Sequence, residues 1–86
     1  MTHFYRPPQK VREWTRDIAD GELYQLTVFD NRTVCLASGR FAHSSGSKAC
    51  SWEEFLAGSL NEIVLATMEH DALDEAIALV RSASSP

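Results

Sequence analysis

Cys50 stands immediately before Ser51, and Glu54 follows Ser51 at the S-x-x-E spacing that opens a helix. A thiol beside a helix N-terminus ionises more readily than a free one, and Lys48 nearby would push the same way. Cys50 is therefore a candidate reactive thiol, with His43 as its nearest histidine in sequence. The stretch His43-Ser44-Ser45-Gly46-Ser47 sets a base next to hydroxyls. Nucleophilic catalysis also needs a group to orient the base and a site for the oxyanion, and adjacency in a loop supplies neither. Gly46-Ser47-Lys48 is too short for the phosphate-cradling pattern G-x-x-x-x-G-K-[ST]. His3, His43, His70, Cys35 and Cys50 are metal-ligating types, but no two have C-x-x-C or H-x-x-x-H spacing. The expectation is a protein that is not an enzyme, with no metal and no cofactor. A small enzyme or redox protein using Cys50 and His43 stands third among the functional readings.

Two charged groupings carry the other readings. Arg6, Lys10, Arg12, Arg16 and Arg40 are basic, and Phe4, Tyr5 and Trp14 lie among them. Bases interleaved with aromatics suit single-stranded nucleic acid, whose phosphates and base faces they meet. Glu13 and Asp17 dilute that patch. The C-terminal half is the reverse. Residues 1–48 hold seven basic and five acidic side chains, whereas residues 49–86 hold Arg81 against seven acids. Glu53, Glu54, Asp71, Asp74 and Glu75 fall in or beside expected first helical turns, where backbone N–H groups favour carboxylates. Glu62 and Glu69 lack that local explanation.

The elements that must position these groups can be read from periodicity. Pro7 and Pro8 end an extended arm over residues 1–8. Val11, Trp14 and Ile18 fall on one face of a helix over residues 9–20, with Arg16 and Asp20 paired on its wet side and Gly21 as its stop. Residues 23–29 and 33–38 alternate as two strands. A three-residue loop, Asp30-Asn31-Arg32, pairs Val28 with Val34 and Leu26 with Leu36, so that one face stays apolar. That loop sets Arg32 at a left-handed position that prefers glycine. Arg40 to His43 reads as a short third strand with Phe41 turned inward, and residues 44–51 as a flexible loop. A helix then starts at Trp52 and carries Phe55, Leu56, Leu60, Ile63 and Val64. It must break near residues 67–71, since an unbroken helix to residue 83 would run about 48 Å. Asp71 is the expected N-cap of a last helix with Leu73, Ala76, Ile77 and Val80 inward, and residues 82–86 form a frayed tail.

The resulting order, α-β-β-(β)-α-α, is a two-layer α+β domain with a small antiparallel sheet packed on helices. Eighty-six residues make a single domain. The net charge of −4 opposes non-specific binding to DNA. No apolar run reaches the roughly 18 residues of a membrane span, and no apolar leader is visible at the N-terminus. The expected location is the cytoplasm, with both cysteines reduced.

Apolar surface is in excess. Leu23, Thr27, Phe29, Thr33, Cys35 and Ala37 make the second sheet face. Either the first helix covers it or it is an interface, with another protein or with a second copy in a homodimer. The leading functional reading is a non-enzymatic protein-binding module, acting stoichiometrically as adaptor, regulator or inhibitor. Its contact surface would be Glu62, Glu69, Asp74 and Glu75 around Leu65 and Leu79. A nucleic-acid-processing complex is one such target, with the acids standing in for phosphates, and accessory or mobile-element proteins are often of this kind. The alternative is a nucleic-acid binder using the basic N-terminal residues.

Overall fold

The strands lie within residues 10–51, and the helices follow them along the chain. The computed structural model describes residues 7–18, 21–40 and 43–84, with the backbone alone for residues 40 and 43–45. Its strands are β1 (Lys10–Asp17), β2 (Glu22–Phe29), β3 (Thr33–Arg40) and β4 (His43–Ser51), antiparallel in the order β1-β2-β3-β4. The helices α1 (Trp52–Leu56), α2 (Asn61–Thr67) and α3 (His70–Ser84) follow. The chain is thus a small α+β domain with an antiparallel sheet packed against helices.

The first element corrects the sequence reading: residues 10–17 form an edge strand and not a helix. The helical spacing of Val11 and Ile18 misled, for both are exposed, at 46% and 44%. The pattern that governs has period two. Arg12, Trp14 and Arg16 pair with Val28, Leu26 and Tyr24 and share their face. Arginine stems and an indole cover the apolar surface while their polar ends stay wet, so the strand lacks the usual apolar alternation. Gly21 does take a positive φ, 77°, but in the turn between two strands. There Ile18 N–H donates to the carbonyl of Glu22 at 2.8 Å.

The β2–β3 hairpin has the expected three-residue loop and register, Val28 opposite Val34 and Leu26 opposite Leu36. Arg32 adopts φ 66°. Residues 44–51 are strand and not loop: Cys50 pairs with Val34, Lys48 with Leu36 and Gly46 with Ser38. Serine, glycine and lysine hid this strand, because its inner face is largely left without apolar cover. Arg40 ends β3 and His43 begins β4, so the short third strand expected there is the junction of two longer ones. Phe41 lies outside the described residues.

Ser51 caps α1 with the reciprocal capping box to Glu54. The long helix expected from Trp52 is two helices. Gly58, at φ 101°, ends the first. Its N–H donates to Phe55 O and that of Ser59 to Glu54 O, both at 3.0 Å, the paired bonds of a glycine C-cap. The second break comes at Met68, as expected. The last helix starts at His70, with Asp71 in its first turn and not at its N-cap, and it runs on through Ser82 to Ser84.

Leu26, Val28, Val34, Leu36 and Cys50 from the sheet meet Trp52, Phe55, Leu60, Val64, Met68, Leu73, Ala76 and Val80 from the helices in one core. These sheet residues share a face. Among the described residues no helix lies on the opposite face, which carries Leu23, Phe29, Cys35 and Ala37, all half-buried. The helix expected over residues 9–20 as cover for that face is not there: residues 10–17 are a strand of the sheet itself.

Candidate functional site

The site candidates follow from which face of which element each residue occupies. Cys50 points into the core beside Val34 and is 9% exposed. Burial pushes its thiol up, the nearby Glu54 adds to that, and a hydrogen bond involving Ser59 opposes it only in part. The lowered pKa expected beside a helix N-terminus is not found, because α1 is a five-residue helix and desolvation outweighs it. Cys35 lies on the other face of the sheet and burial raises it too. Among the described residues no three of His, Cys, Asp and Glu gather as a metal set. His3 lies outside the described residues, and of His43 only the backbone is described.

The basic candidates are scattered across the fold. Lys10 lies on the open face, 3.0 Å from Glu13. There Glu13 also accepts from the Thr27 hydroxyl at 3.1 Å and the Gln25 amide at 3.4 Å. Arg12 lies on the helix-facing side, 4.7 Å above the Trp14 ring. It donates to Glu75 Oε1 at 2.8 Å, and the Trp14 indole N–H donates to the same oxygen at 3.3 Å. Arg16 donates to the carbonyl of Thr67 at 3.1 Å, a cation at the C-terminal end of α2. Arg6 lies outside the described residues, and the Arg40 side chain is not described.

The acidic candidates divide. Glu75 is tied to Arg12 and Trp14. Leu79 packs against the core. Glu62, Glu69 and Asp74 are exposed, and among the described residues their carboxylates meet no hydrogen bond or ion pair. Leu65, on α2 one turn after Glu62, is 46% exposed. Glu69 follows just past the end of that helix. The local explanations also change hands. Glu62 stands in the first turn of α2, whereas Asp74 stands beyond the first turn of α3.

Two concavities accompany these groups. One, about 400 Å³, runs between β1 and the start of α3, past Trp14, Arg16, Glu69 and Glu75. The other, about 270 Å³ and mostly apolar, lies between the sheet and α2. Sequence reading missed Glu13 as a hub, whose signal was the two-residue alternation of charge along residues 12–17, and it offered Glu75 to a partner where the structure ties it to Arg12 and Trp14. No protein-family model, curated protein or solved structure matches this chain.

Proposed function

We propose that this protein is a non-enzymatic protein-binding module, acting stoichiometrically as an adaptor, regulator or inhibitor. The observation that carries this reading is Leu65, a large apolar side chain left 46% exposed on the outer side of α2. Glu62 and Glu69 flank it along the chain with no counter-ion among the described residues. An apolar anchor bordered by unneutralised acids matches a partner that offers basic side chains around an apolar recess. Asp74 extends the acidic border onto α3. A nucleic-acid-processing protein, whose own binding surface is basic, is a partner class of this chemistry.

The test is capture of partners from the source cell by the tagged protein, run beside Glu62→Lys/Leu65→Asp and a control, Asp17→Lys, on the face of β1 turned away from the helices. One defined partner should be retained by the wild type and the control and lost by the double variant. The partner's elution should shift to lower salt for Glu69→Lys. A monomer retaining nothing at low salt, or capture indifferent to the double variant, would overturn the reading.

A further inference from the structure

We infer that the cleft between α2 and the far end of the sheet is a binding site for a small aromatic acid of one or two rings. The cleft follows from register. On the helix-facing side Leu26, Leu36 and Lys48 form one cross-strand row, and Tyr24, Ser38 and Gly46 form the next. Leu26 and Leu36 are 0% and 4% exposed, so the first row is covered by helices until it reaches Lys48. The second row runs from a large side chain to a small one to none. A β-carbon built on Gly46 would meet nothing within 4 Å among the described residues. Helix α2 overhangs this hollow with Ile63 and Thr67, leaving about 270 Å³. That volume lies just below the usual size of pockets for drug-sized ligands, which suits one or two rings and not a larger molecule.

The lining selects the chemistry. Leu36, Ile63 and the Tyr24 ring make the walls apolar. The Thr67 hydroxyl is spent on the carbonyl of Ile63 at 2.6 Å, so threonine contributes no free donor. Three polar side chains remain, the Tyr24 and Ser38 hydroxyls and the Lys48 ammonium, and no hydrogen bond or ion pair is found for any of them among the described residues. An ammonium and hydroxyls among the lining of a mostly apolar slot fit a carboxylate or sulfonate joined to a flat apolar body. This site lies on the sheet side of α2, apart from Leu65, so it stands whether or not the protein-binding reading does.

The probe is naphthalene-2-sulfonate, titrated into isotope-labelled protein and followed by amide chemical shifts. Saturable 1:1 binding is expected, with shifts centred on Tyr24, Ser38, Gly46, Lys48 and Ile63. The sulfonate should bind about tenfold tighter than neutral 2-naphthol. That gap should close in Lys48→Met, which leaves the walls intact. Gly46→Val, whose side chain enters empty space and favours a strand, should keep the native spectrum and lose the probe. Three results would each overturn the assignment: no saturation at millimolar probe, shifts centred elsewhere, or unchanged affinity in a folded Gly46→Val.

Discussion

Arg32 and Glu53 meet where the β2–β3 turn touches the start of α1, with Nη2 2.6 Å from Oε1. The hydrogen bond from Arg32 holds the Glu53 carboxyl below its ordinary range, helped by bonding to backbone and to Ser51. The folded chain therefore binds that proton less readily than the unfolded chain. The pair's contribution is present above the range of an unfolded glutamate and is lost as pH falls through the lower folded value. A carbon-detected titration should place Glu53 below a glutamate in an unfolded peptide, and Arg32→Ala should return it upward. An unmoved Glu53 in that variant would show that the arginine is not the cause. At Cys50 the sign is opposite, because burial disfavours the thiolate. Both cysteines should react with a disulfide reagent at neutral pH more slowly than free cysteine. A faster rate at Cys50 would restore it as a nucleophile.

At the scale of elements, the turn between β2 and β3 is held by more than its own residues. Arg32 accepts φ 66°, a strained region for a side chain, while its guanidinium lies 5.1 Å from the Trp52 ring centre and its carbonyl accepts from Trp52 N–H at 2.9 Å. Arg32→Ala and Arg32→Gly remove the same ion pair and stacking contact and differ in the cost of φ. Glycine should be the more stable of the two by about 0.5–1 kcal/mol, once its greater freedom in the unfolded chain is counted. Urea denaturation would measure it, and equal midpoints would mean the turn relaxes. Both variants should fall below the wild type. This hairpin was legible in the sequence because parity and apolar pairing allowed one register, and the α1 start because S-x-x-E states its own geometry. The stop of α1 was legible in Gly58 but was overridden by an apolar pattern that continued past it. The two outer strands were hidden for a physical reason. An edge strand half-covered by helices can use arginine, tryptophan, serine and lysine where a central strand uses valine, so no apolar alternation marks it. For the same reason the cleft over Ser38 and Gly46 could not be foreseen: Ser38 falls in an expected strand, but Gly46 and Lys48 fall in the stretch that reads as loop.

Over the whole molecule, the order of elements decides what is exposed. Four strands in sequence followed by three helices give one sheet face to the core and leave the other without a helix among the described residues. Charge follows the same division. The first strand's arginines turn toward the helices, where Arg12 meets Glu75 and Arg16 meets the end of α2. These cations hold an edge strand to the helical layer and are not offered outward as a stripe. Glu62, Glu69 and Asp74, for which no hydrogen bond or ion pair is found among the described residues, lie on the outside of that layer. The nucleic-acid reading needs the opposite arrangement, a continuous basic surface on a chain whose net charge is −4. Labelled single-stranded DNA and RNA should therefore migrate unretarded with this protein at low salt. Freeing Arg12 through Glu75→Gln should not create retardation, because one released cation neutralises about one phosphate. That variant should instead loosen β1, seen as faster amide exchange along residues 10–17. Retardation by the wild type that weakens steeply with added salt, and that Arg16→Glu abolishes, would move the binding surface from the acidic helices to the first strand.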